Sequence, residues 1–177
     1  MFDPTAFDNM KVVIEGALYD LDLAGEIIIT DRNDIVNMAK MSRIFDIHFQ
    51  QSSTQQPIVT AKLEIKAELI NLAAELLPNS MSQKQAGCII KLQFYHHGLT
   101  DEAQFKKIQE IFIDIWGETR QISQSVTLTP SKSLIHNCIS IEFDRLISED
   151  QMDDLVEMIN FMMTSIVQLQ SYLREIS

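Results

Sequence analysis

The segment from Ser148 onward constrains this chain more than any other. Ser148 with Gln151 three residues later forms a capping box that opens a helix. Met152, Leu155, Ile159, Met162, Ile166, Leu169, Leu173 and Ile176 then recur at alternating spacings of three and four, a heptad seam over more than three repeats. At 1.5 Å per residue such a helix runs about 40 Å. Met158 and Phe161 lie off the seam, and Met163 and Val167 broaden it, so the middle of the helix is apolar nearly all round. Burial on two sides follows, with a sheet on one and either more core or a second copy on the other. Two-fold dimers are the commonest oligomers. An extra ~500 Å² of apolar burial is worth on the order of 12 kcal/mol before association costs. The expected interface on the homodimer reading is Leu155, Ile159, Met162, Ile166, Leu169 and Leu173.

The remainder reads as an α+β protein with an antiparallel sheet and helices packed on one face, its C-terminal half ordered β-α-β-β-α. Asp3-Pro4 predicts a helix start, with Phe7, Met10, Ile14 and Leu18 at helical spacing. Residues 17–30 read better as a hairpin turning at Gly25. Asp31-Arg32-Asn33-Asp34 reads as a turn or helix cap before a short helix over 35–40. Phe45, Ile47 and Phe49 alternate with Ile44, Asp46 and His48, a half-buried strand. Residues 58–66 suit strand or helix, whereas 66–77 read as a helix with Leu69, Leu72, Ala73 and Leu76 on its buried face. Cys88, Ile90, Leu92 and Phe94 mark a strand. A helix capped by Thr100 buries Phe105, Ile108, Phe112 and Ile115 before Gly117. Ile122, Val126 and Leu128 alternate in the next strand, and Ile135, Ile139, Ile141 and Phe143 in its partner.

Residues 1–177 suit one domain. The polar stretch from Pro78 to Gly87 is the only linker-like segment, and offers a division into 1–79 and 87–177. With 25 acidic residues against 14 basic, the formal charge is −11. That field repels phosphate backbones and anionic membranes, so no nucleic-acid and no membrane partner is expected, while a basic protein partner is admitted. There is no apolar run long enough to span a bilayer and no signal-peptide pattern, and the two cysteines suit a reducing cytoplasm.

Chemical motifs are sparse. His96-His97 places two rings on opposite faces of a strand, which disfavours a shared metal. Asp31 to Asp34 lacks the glycine and glutamate of a calcium loop, and Asp20 with Asp22 reads as a solvated face. No phosphate-cradling glycine loop, C-x-x-C or H-E-x-x-H occurs, and no cofactor is expected. His136, Cys138, Ser140 and Glu142 share one strand face. A thiol near an imidazole and a carboxylate has a nucleophile's composition, but same-face neighbours stand about 6.5–7 Å apart. The expected function is therefore a non-enzymatic protein-interaction module (adaptor, regulator or chaperone-like binder) that dimerises through its last helix. The competing expectation is a small-molecule binder or enzyme with its site around His136, Cys138 and Glu142.

Overall fold

The computed structural model describes residues 5–53, 55–56, 58–77 and 83–177. Its elements run α1 (Ala6–Leu23), β1 (Ile27–Asn37), β2 (Ser42–Gln51), β3 (Thr60–Ala67), α2 (Leu69–Leu76), β4 (Ile89–His97), α3 (Glu102–Trp116), β5 (Gln121–Thr129), β6 (Leu134–Glu142) and α4 (Met152–Glu175). The strands form one antiparallel sheet in the order β1-β2-β3-β4-β6-β5. The chain is an α+β protein ending in a long helix. β3 and β4, which flank the linker-like segment, pair from Thr60↔Tyr95 to Lys66↔Ile89, so both halves share a sheet.

Alternation sorts the sheet into two faces. Phe45, Ile47 and Phe49 of β2, Leu63 and Ile65 of β3, Leu92 and Phe94 of β4 and Ile139 and Ile141 of β6 point to one side and are buried. Against them α1 lays Phe7, Met10, Ile14 and Leu18, and α3 lays Ile108 and Phe112. The Phe112 ring meets Phe94 edge-on at 5.0 Å between centroids. The opposite face carries polar side chains. No helix among the described residues is long and apolar enough to cross a membrane.

Several sequence expectations are corrected. The predicted Asp3-Pro4 start lies outside the described residues, and the cap of α1 is Thr5, whose hydroxyl accepts from the Asp8 N–H. The hairpin over 17–30 does not form. α1 continues to Leu23, because Leu18 and Leu21 extend its helical stripe, and Gly25 (φ 77°) serves the exit from the helix instead.

Residues 31–37 are neither turn nor helix but the rest of β1. A register shift between Ile29 and Asp31 breaks its alternation. Arg32 and Asp34 then fall on the helix-covered side, where Glu15 and Lys11 of α1 pair with them. Tertiary ion pairs thus keep a polar run extended. The segment 60–67 is strand, and the cap of α3 is Asp101 rather than Thr100: the Asp101 carboxylate accepts from the Ala103 N–H at 2.8 Å.

Candidate interaction surface

The six α4 residues expected at an interface lie in the core of the subunit. Leu155, Ile159, Met162, Ile166, Leu169 and Leu173 are each at most 6% exposed. They cover the sheet and pack with α1 and α3. A heptad seam reads the same whether the partner surface is another chain or the chain's own sheet. Here the sheet takes it. The Trp116 indole locks α3 to α4 by donating to the Ser165 hydroxyl at 2.9 Å.

The polar sheet face brings His136, Cys138 and Glu142 onto one side but not into one constellation. Glu142 accepts from Lys91 at 2.7 Å, a bond that raises the Lys91 pKa. The His136 ring packs on His97 across the strands, 4.7 Å between centroids. Cys138 Sγ lies 3.6 Å from the Gln93 amide and from the Ser140 hydroxyl, groups that do not take a thiol proton. Further along, Asp46 is only 5% exposed, accepts from Asn33 at 3.0 Å and lies 3.2 Å from His48. His48 stacks near Tyr95, whose phenol burial pushes up to about 12. Among the described residues no group of three or more His, Cys, Asp or Glu is arranged to hold a metal ion.

The surface that reasoning from sequence missed is α2. Of its expected buried stripe, Leu72 packs against the core and Ala73 is half-buried, but Leu69 and Leu76 are exposed, and the fully buried positions are Asn71 and Ala74. Leu69, Ile70, Leu76 and Leu77 are 42–67% exposed.

Two polar side chains set this rotation. Asn71 accepts from the Glu68 N–H at 2.9 Å and donates to the Gln85 carbonyl at 2.9 Å. Glu75 accepts from the Ala6 N–H at 2.8 Å, where its negative charge meets the N-terminal end of the α1 dipole. Spaced i, i+4, these two would ordinarily mark a solvent face. Here their hydrogen bonds turn that face inward and leave Leu69 and Leu76 outward, with Leu72 still on the core side. The sequence signal was the pair itself, in a helix with no other polar residue.

Beside α2 lies a groove of 490 Å³, floored by Leu69, Ile70 and Ala73 and rimmed by Lys40, Lys66 and Glu68. Met38 and Met41, in the turn that carries Lys40, are 74% and 52% exposed. Comparison of the chain with protein families, curated proteins and solved structures finds no match.

Proposed function

We propose that this protein is a non-enzymatic interaction module, an adaptor or chaperone-like binder, that works as a homodimer assembled through α2. The outward apolar stripe of Leu69, Ile70, Ala73, Leu76 and Leu77 carries the reading, because the Asn71 and Glu75 bonds pin it in place.

Three features support a second copy as its occupant. The four exposed α2-side residues with Met38 and Met41 offer on the order of 600 Å² per subunit, near the ~800 Å² a side of a standard interface. Ala73, small and central, lets two helices approach closely. The rim carries both signs, Lys40 and Lys66 with Glu68, so a two-fold axis sets each patch against its own complement. A single-sign rim would repel itself. Such a dimer holds two polar sheet faces on one particle, and its doubled negative charge favours a basic protein partner.

Light scattering at about 100 µM tests the assembly. The parent is expected at twice the 20.3 kDa chain mass, and Ala73→Arg at the monomer mass with an unchanged circular dichroism spectrum. A monomeric parent, or a folded Ala73→Arg that keeps the parent mass, overturns the reading.

A further inference from the structure

A second feature, independent of α2, lies where α3 and β6 end against α4. Met158 and Phe161 stand off the heptad seam of α4, and both line a pocket of 260 Å³ with Trp116, the last residue of α3, and Phe143, just beyond β6. Phe161 is 40% exposed there. The Trp116 indole lies 5.6 Å from the Phe161 ring and 6.4 Å from the Phe143 ring, tilted by 52° and 75°, so the three rings make a corner rather than a stack. That corner is fixed. Trp116 donates to the Ser165 hydroxyl, and Ser165, fully buried, donates in turn to the Phe161 carbonyl at 2.8 Å. An aromatic wall held in this way needs little rearrangement to receive a ligand.

Four charged side chains line the same space, Arg120 and Arg145 with Asp154 and Glu157. Among the described residues none of the four makes an ion pair or a hydrogen bond. Elsewhere Lys11, Arg32, Arg43, Lys62 and Lys91 each close on a carboxylate. Here opposite charges share one small pocket without meeting. Arg120 is half-buried, its guanidinium 5.0 Å over the Phe143 ring, and Asp154 is half-buried too, whereas Arg145 and Glu157 are exposed. An anion would match only the arginines, and a cation only the carboxylates. An uncharged molecule would cover both signs and pair neither. The ligand that answers the whole lining therefore carries both charges and an apolar part. A volume of 260 Å³ falls just below the ~300–1,000 Å³ of drug-sized sites, which suits a molecule no larger than an amino acid.

We propose that this pocket binds a free α-amino acid with an aliphatic side chain. Arg120 takes its carboxylate, Asp154 takes its ammonium, and Trp116, Phe161 and Met158 receive the side chain. A guanidinium suits the carboxylate because its planar fork donates two parallel bonds. The exposed Arg145 and Glu157 are screened by solvent and contribute less.

Trp116 is the chain's only tryptophan, so intrinsic fluorescence of the full chain reports on this pocket directly. L-Leucine is expected to change it saturably below about 10 mM. Isocaproate, which lacks the ammonium, isopentylamine, which lacks the carboxylate, and glycine, which lacks the side chain, are each expected to bind at least about tenfold more weakly. Arg120→Gln and Asp154→Asn are expected to weaken leucine by a similar factor. The absence of a saturable response to leucine overturns the proposal. Equal binding of isocaproate, isopentylamine or glycine overturns its chemistry, and unchanged leucine binding in both folded variants overturns the anchoring. The analogue series is read on the parent chain, so it decides the matter whether or not the variants fold.

Discussion

The Glu75 carboxylate and the Ala6 backbone N–H, 2.8 Å apart, tie the last turn of α2 to the first turn of α1. Among the described residues only one carboxylate oxygen is used; Oε1 is buried without a partner there. Burial raises the Glu75 pKa, and the nearby carboxylates of Glu149 and Asp8 push in the same direction against the Ala6 bond. The folded state therefore holds the Glu75 proton more tightly than the unfolded chain does. Its charge costs stability above the folded pKa, and the cost fades as pH falls towards the unfolded value of about 4.3. Glu75→Gln keeps an acceptor for Ala6 and loses the charge. Urea unfolding should show the variant more stable than the parent at pH 7 and indistinguishable below pH 4. A less stable variant at pH 7 would mean that the α1 dipole outweighs burial.

Leu169 and Val167, two residues apart on α4, separate core from surface. Leu169 is fully buried and Val167 is 45% exposed. Leu169→Ala should lower unfolding free energy by about 2–5 kcal/mol and Val167→Ala by less than about 0.5 kcal/mol. Ile166→Glu should leave no folded protein, since it places a carboxylate among buried apolar side chains. Folded, soluble Ile166→Glu would contradict the burial of the seam.

These cases show where the sequence is legible. β2, β4 and β6 can be read directly, because each has a wet face and a dry face and its alternation survives: Phe45, Ile47 and Phe49 inward, Asp46 and His48 outward. The end of α1 cannot, since Leu18, Leu21 and Leu23 satisfy a helical and a strand spacing at once. β1 hides behind its register shift and behind charges whose partners lie on another element. For α2 the period was right and the phase wrong. The hydrogen bonds that set its phase, to Ala6 and Gln85, come from chain far from or just beyond the helix. For the candidate sites, alternation placed His136, Cys138 and Glu142 on one face, but whether their side chains meet depends on Lys91, Gln93 and His97 across the strand.

The two thiols should differ sharply in reactivity. Cys88 is buried, and desolvation pushes its pKa up to about 12. Cys138 is half-buried on the polar face. Under native conditions at pH 8, iodoacetamide should label Cys138 alone, with Cys88 reacting only after unfolding in urea. Equal labelling of the native protein would place Cys88 at a surface.

His96 should shape the acid limb of the stability curve. Burial lowers its pKa to about 4, against a backbone hydrogen bond to His97 that raises it. The unfolded chain, with an imidazole near 6.5, binds the proton more readily than the folded one. Stability from this residue is therefore fully present above about pH 6.5 and lost as pH falls through 4. His96→Gln should flatten the decline in melting temperature between those values. A parallel decline in parent and variant would mean that His96 does not titrate with folding.

The strand order has a consequence for synthesis. β1 to β4 can zip together as each emerges, but β6, which separates β4 from β5, is made after both. Until residues 134–142 leave the ribosome, the inner edge of β4 has no pairing strand and β5 has nothing to join. The dry faces of β2 and β3 wait longer still for α4, which follows every strand in the chain. During that interval Phe45, Ile47 and Leu63 lack their α4 cover. The nascent chain thus passes through a stage with apolar sheet uncovered, which ends when a single helix arrives.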